Sequence, residues 1–192
     1  GAAVQAVPAT LGSIADKPWL EADHSASSPF QNSLYVSVTQ FAPNSDSQIT
    51  VSRSRDGGAT WATVNVSAKQ TFPNVVQFSD LATGRDGTVY LSYMKCLANG
   101  PTGDCGGTVA SLVFQKSTDG GVTWSAPVTM ATATLAPDSC GAFYGCVPNT
   151  NERTSNIPSI AVDNGTGANS GKLYVSLYDY TGGRMQVRVV SS

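Results

Sequence analysis

The residues best suited to chemistry cluster near the start of the chain. Asp16, Lys17 and Trp19 lie in one short segment, and Asp23 and the single histidine, His24, follow soon after. This is the densest polar and aromatic cluster of the sequence, and we predict that Asp16, Lys17, Trp19 and Asp23 face a ligand. The alternative is that Trp19 packs in the core and Lys17 is solvated. His24 has no visible partner for general-base chemistry.

Carboxylate pairs are the second candidate. Hydrolysis of a glycosidic bond usually takes two carboxyl groups about 5 Å apart, or somewhat more. The chain has only two glutamates, so a pair would come mostly from the aspartates beside the inner strands: Asp16, Asp23, Asp80, Asp163 and Asp179. Turn capping and hydrogen bonding at strand ends explain the same aspartates without catalysis. The sequence therefore assigns no catalytic residue.

Arg153 is the third candidate, because it lies just before a predicted inner strand. Its guanidinium suits an anionic sugar, whereas a surface salt bridge with Glu152 is the alternative. The acidic loop 80–87 could offer oxygen ligands to calcium, but its spacing fits no EF-hand. We predict neither a metal nor a cofactor.

The elements that position these residues come from a repeated motif. The first turn motif, Ser54-Arg55-Asp56-Gly57-Gly58-Ala59-Thr60-Trp61, recurs as the second turn motif, Ser117-Thr118-Asp119-Gly120-Gly121-Val122-Thr123-Trp124. An alternating apolar strand precedes each copy, and a short strand follows it. Asp-Gly-Gly between two such runs indicates a hairpin, since glycine tolerates the positive φ that tight hairpins require.

A second repeat extends this unit. Similar strands occur at residues 34–38, 89–93 and 173–177, and a segment led by Pro18, Pro73 or Pro158 precedes each one. Four short antiparallel strands per unit, without helical periodicity, are typical of a β-propeller blade. We predict an all-β chain with blade 1 at 16–68, blade 2 at 72–133, a disulfide-bearing loop at 134–157 and a partial blade 3 at 158–192.

The predicted ring is incomplete in this chain, because a propeller closes with roughly four to eight blades. Further blades of the same protein or neighbouring subunits would complete it. Residues 1–15 are predicted to be an N-terminal extension or an outer-strand segment that fills the missing position of the last blade, within one chain or between neighbours.

Four cysteines form two close pairs, Cys96 with Cys105 and Cys140 with Cys146. No CxxC pair or histidine set accompanies them, which disfavours zinc. We predict two local disulfides rather than free thiols. This prediction and the polar, lysine-poor composition indicate a secreted, extracellular protein.

Composition narrows the partners. The chain has 192 residues, 41% hydrophobic and 12% charged, with a formal net charge of -2. The basic residues are spread along the sequence, so a nucleic-acid surface is not expected. No stretch approaches the roughly 20 apolar residues of a membrane helix.

The repeated turn motif resembles the Asp-box of the sialidase-like β-propellers, and the resemblance extends over most of the chain after about Asp16. It implies structural roles in the turns for Ser54, Asp56, Gly58, Thr60, Ser117, Asp119, Gly121 and Thr123, and places Trp61 and Trp124 in the core between blades. The resemblance also implies a ligand site at the centre of the ring.

Sialidases carry an arginine cluster, a tyrosine nucleophile activated by glutamate, an aspartate acid/base and an aromatic-Arg-Ile-Pro motif. The corresponding places here, Lys17-Pro18, Phe72-Pro73 and Asn156-Ile157-Pro158, lack arginine before Ile-Pro. The sialidase catalytic motif is therefore not evident. We predict a secreted propeller that binds or processes extracellular glycans. The alternative is a non-catalytic scaffold, adhesin or filament or surface-layer subunit that assembles through open blade edges.

Overall fold

The computed structural model describes residues 2–8, 12, 14–98, 105–141 and 144–192. These residues form eleven β-strands and one short 3-10 turn at Thr181–Gly183. The strands are β1 (Ile14–Ala22), β2 (Leu34–Phe41), β3 (Ser47–Ser54), β4 (Ala62–Asn65), β5 (Val75–Thr83), β6 (Val89–Cys96), β7 (Val109–Ser117), β8 (Val128–Thr134), β9 (Ser159–Val162), β10 (Leu173–Asp179) and β11 (Gln186–Ser191).

Three antiparallel sheets follow one another along the chain. Sheet 1 has the order β1-β2-β3-β4, sheet 2 has the order β5-β6-β7-β8, and sheet 3 has the order β11-β10-β9. Neighbouring strands in sequence are neighbours in space, as expected for short hairpin connections. The predicted fold class is confirmed: the chain is all-β, its units are antiparallel sheets, and none of them closes on itself.

Apolar side chains hold the three sheets together in two clusters. Between sheets 1 and 2, Tyr35, Ile49 and Val51 pack against Val89 and Leu91. Between sheets 2 and 3, the cluster contains Met94, Leu112, Ile160, Val175 and Leu177. Alternate residues of each strand point to opposite faces, so sheet 2, in the middle, contributes to both interfaces. The inner strands β1, β5 and β9 are thereby brought side by side.

The first and second inner strands share an irregularity. The register of β1 on β2 shifts between Asp16 and Trp19, and that of β5 on β6 shifts between Gln77 and Asp80. Lys17 and Phe78, which follow Asp16 and Gln77, have φ of 53° and 61°. The bulges make Ser79 the equivalent of Pro18. Pro73 itself precedes the start of β5 at Val75, whereas Pro18 lies within β1.

The N-terminal segment lies on sheet 1. Residues 2–8 form no strand, and the Pro8 carbonyl accepts a hydrogen bond of 2.8 Å from Gln40 Nε2. Among the described residues no fourth strand pairs with β11, so the outer-strand role within one chain is not observed. The contact with Gln40 holds the segment at sheet 1, whereas the unpaired strand β11 lies in sheet 3, at the other end of the row of sheets. The rest of the predicted segment, residues 1, 9–11 and 13, lies outside the described residues.

The described part of the chain contains no helix that is long and apolar enough to cross a membrane.

Candidate functional site

A cavity of about 480 Å³ opens at the end of the sheets where the inner strands begin. We call it the mouth pocket; its lining residues are Ile14, Phe41, Ala42, Pro43, Ser45, Phe72, Val75, Gln77, Tyr144 and Arg153. They come from the starts of β1 and β5, the connections before β3, β5 and β9, and the end of β2. Because the strands are antiparallel, all these segments meet at one edge of the sheets.

Asp16 lies beside this pocket and is held by a lining residue. Gln77 Nε2 donates a 2.7 Å hydrogen bond to Asp16 Oδ2, and Lys17 Nζ is 3.7 Å from Asp16 Oδ1. Asp16 and Gln77 occupy equivalent positions, just before the bulges of two neighbouring inner strands. The bulges therefore bring the two polar side chains together across the boundary between sheets 1 and 2.

Arg153 lines the same pocket from the long connection between sheets 2 and 3. Its backbone forms an isolated antiparallel bridge with Cys146. The predicted alternative, an ion pair between Arg153 and Glu152, is wrong: neither residue takes part in an ion pair among the described residues. Successive side chains of extended backbone point to opposite sides, which separates the two neighbours.

Tyr144 forms the buried wall of the pocket. Its ring packs against Phe78 with the two centroids 4.9 Å apart. Burial raises the pKa of Tyr144 far above its usual value; the Arg153 charge opposes this shift and the Asp16 charge adds to it. The phenol is therefore protonated at neutral pH and suits a hydrogen bond rather than nucleophilic attack.

The structure separates the other members of the predicted N-terminal cluster. Asp23 follows the end of β1, whereas Asp16 lies near its start, so the two are about 20 Å apart along the strand. Asp23 is buried in its own turn, where it accepts hydrogen bonds from Ser25 N and Ser28 Oγ. Trp19 lies on β1 beyond the bulge, opposite Ser37, with 43% of its surface exposed.

The remaining candidate carboxylates make contacts at strand ends and turns. Asp80 accepts hydrogen bonds from Ile160 N and Leu81 N, and burial raises its pKa. Asp179 accepts one from Thr134 N at 2.8 Å and pairs with Arg188 at 2.9 Å. Although burial opposes it, these bonds lower the pKa of Asp179. Such contacts join the sheets rather than converge on the mouth pocket.

The two turn motifs lie at the opposite end of the sheets from the mouth pocket. In the first, Asp56 accepts hydrogen bonds from Ser54 Oγ, Thr60 N and Thr60 Oγ1 at 2.6 to 2.9 Å. The Gly58 amide donates to Ser54 Oγ, and Trp61 Nε1 donates to the Gly58 carbonyl. These contacts close the hairpin on itself.

The second turn motif repeats this network. Asp119 accepts hydrogen bonds from Ser117 Oγ, Thr123 N and Thr123 Oγ1, and the Gly121 amide donates to Ser117 Oγ. Trp124 packs against the cluster between sheets 1 and 2. The aspartates therefore organise the turns and lie away from the mouth pocket.

Both disulfides lie at the pocket end of the sheets, one of them at the end of β6. Cys96 is joined to Cys105, and Cys140 to Cys146. The second closes a short loop that carries Tyr144, and its Cys146 is the bridge partner of Arg153. This disulfide therefore braces one wall of the mouth pocket.

Sequence reasoning missed Gln77 and Tyr144. Gln77 is polar within an apolar strand, and its equivalence to Asp16 becomes visible only once the bulges are aligned. Tyr144 lies in an irregular loop, where no periodicity gives its direction.

No protein-family model and no curated protein matches the chain. Among solved structures, it resembles a mutant of NanB sialidase from Streptococcus pneumoniae, with a TM-score of 0.55 and 15% identity over 86% of this chain and 20% of that one. It also resembles a mutant of an α-L-arabinofuranosidase from Fusarium graminearum in complex with an iminosugar inhibitor, with a TM-score of 0.55 and 18% identity, covering 92% of this chain and 46% of that one.

The chain thus spans less than half the length of either solved protein. Its three sheets pack face to face, with their inner strands side by side. The chain has the fold of the sialidase-like β-propellers.

Proposed function

We propose that this chain is part of an extracellular propeller that binds or processes glycans at the mouth pocket. Near their starts, two neighbouring inner strands carry Asp16 and Gln77, which are hydrogen-bonded to each other, and Arg153 lies at the same pocket from the connection before β9. This convergence is the observation that carries the proposal. Solved proteins with the same fold include a sialidase and an arabinofuranosidase, which supports a sugar as the ligand. The two disulfides are compatible with an extracellular location.

The chemistry of the pocket fits a sugar. Phe41 and Phe72 offer apolar surface to the carbon face of a ring. Asp16 can accept hydrogen bonds from hydroxyl groups, and the Gln77 amide can both accept and donate them. Arg153 can donate to a carboxylate. The volume of the mouth pocket, about 480 Å³, lies in the range of small-ligand sites.

Binding is the part of this function that the chain's own residues support most directly. Hydrolysis would need two carboxyl groups at the scissile bond. Asp16 is one candidate, and we propose that any second carboxylate comes from another part of the ring.

The test measures the affinity of the wild type and of Arg153→Ala for acidic and for neutral oligosaccharides by isothermal titration calorimetry. Loss of one charge-assisted contact should weaken binding of an acidic sugar about tenfold or more, with a smaller effect on a neutral one. Arg85→Ala is the matched control, because Arg85 is an exposed arginine at the other end of the sheets. Equal effects of the two variants, or no sugar binding by the wild type, would contradict the proposal.

We also propose that further sheets of the same kind complete the ring on the outer face of sheet 3. Val187 and Val189 occupy the register positions of Ile49 and Val51 in sheet 1. Val187 and Val189 are 67% and 64% exposed. Ile49 and Val51 are only 0% and 1% exposed, because sheet 2 covers them. A native protein whose mass equals one chain of 192 residues and which sediments as a monomer would refute this.

A further inference from the structure

A second cleft, of about 310 Å³, lies between the two turn motifs. We call it the turn cleft; it is lined by Arg53, Arg55, Thr60, Trp61, Ala62 and Val122. It lies at the opposite end of the sheets from the mouth pocket, because β3 and β7 end at the turn motifs. Both of its walls belong to sheets that are already packed together.

Two guanidinium groups line this cleft, and each is held by one contact with the second turn motif. Arg53 Nη1 donates to the Gly121 carbonyl and Arg55 Nη2 to the Asp119 carbonyl, both at 3.2 Å. The Arg55 guanidinium also lies over the Phe30 ring, 4.9 Å from its centroid. Each guanidinium carries five N–H donors, so these contacts fix its position while most donors remain available.

Within the part of the chain that the structure describes, neither guanidinium forms an ion pair with a carboxylate. The ion pairs there involve Lys17, Lys69 and Arg188. The carboxylate oxygens of Asp56 and Asp119 accept hydrogen bonds from their own turns. An anion in the cleft would therefore meet two guanidinium groups that no carboxylate has already paired.

The indole of Trp61 adds an apolar surface to this cationic cleft. Its Nε1 already donates to the Gly58 carbonyl at 3.0 Å, which fixes the ring in the turn. What the indole offers to the cleft is therefore carbon surface, beside the exposed methyl groups of Val122. Flat apolar surface beside charge-assisted donors suits a sugar ring that carries an anionic group.

We propose that the turn cleft is a binding site for an acidic saccharide, a sugar carrying a sulfate or a carboxylate. The site is separate from the mouth pocket and uses side chains that the proposed function leaves unassigned. Its role is attachment: it would hold a charged glycan at the rim of the ring.

The test titrates the protein with a sulfated disaccharide while recording the indole N–H signals by nitrogen-15 NMR. The chain has three tryptophans, so the Trp61 signal can be assigned by Trp61→Phe. We expect the Trp61 signal to shift and those of Trp19 and Trp124 to stay in place. Arg55→Gln should weaken the binding that shifts the Trp61 signal about tenfold, whereas Arg85→Gln should leave it unchanged.

Two further probes separate the possible sources of the anion. Inorganic sulfate and the unsulfated disaccharide should each bind more weakly than the sulfated sugar, because each offers only half of the required contacts. Equal binding of inorganic sulfate would replace the proposal with a general anion site. Tighter binding of an acidic peptide, or full binding by Arg55→Gln at unchanged melting temperature, would overturn it.

Discussion

Replacing equivalent glycines in the two turn motifs separates local strain from packing between sheets. Gly57 and Gly120 have almost identical backbone conformations, with φ of +68° and +69°. A Cβ at Gly57 would meet nothing within 4 Å. A Cβ at Gly120 would lie 2.6 Å from Arg55 Nη2 and 2.8 Å from the Phe30 ring. The first variant, Gly57→Ala, therefore measures the local cost alone.

The magnitudes follow from these two environments. An alanine in left-handed backbone costs about 1 kcal/mol, and both variants share this cost. Gly120→Ala must also displace the Phe30 ring and the guanidinium, and overpacking of this kind costs about 2 kcal/mol more. At roughly 3 °C per kcal/mol for a chain of this size, the melting temperatures should fall by about 3 °C and about 9 °C.

Urea unfolding and differential scanning calorimetry of both variants measure the difference. Phe30→Ala is the control background, because removing the ring relieves the crowding at Gly120 but leaves the backbone strain. In the Phe30→Ala background, the difference in unfolding free energy between Gly57→Ala and Gly120→Ala should become smaller, and a double-mutant cycle measures this change. Equal destabilisation of both variants in the wild-type background would refute the packing of the second turn motif against Phe30 and Arg55.

Two other perturbations test the turns and the pocket wall. Hydrogen bonds, chiefly from Thr60, lower the pKa of Asp56 to about 2, and although burial opposes it, similar bonds lower the pKa of Asp119. Both turns should therefore lose stability as the pH falls from about 4 towards 2, and the double Asp→Asn variant should flatten that part of the urea-unfolding profile. Replacing Cys140 and Cys146 by serine should cost about 2 kcal/mol of unfolding free energy. It should also weaken sugar binding in calorimetry, because Cys146 braces Arg153; unchanged affinity would contradict that support.

Local chemistry made the blades predictable. The Asp-Gly-Gly turns require glycine for positive φ and an aspartate to accept hydrogen bonds from the turn amides. Both requirements are met by adjacent residues and are therefore visible in the sequence. Alternating apolar residues then predict strands with one apolar face. The repetition of this unit indicated the propeller before any contact between sheets was known.

The site depended on distances that adjacent residues do not encode. Asp16 and Asp23 are close in sequence, but the extended strand β1 places them at opposite ends of sheet 1. Asp16 and Arg153 are far apart in sequence, and only the packing of three sheets brings both to the mouth pocket. The sequence by itself determined the strands and turns, whose hydrogen bonds are local. Tertiary structure decided which side chains meet, because bulges and the order of the sheets set their directions.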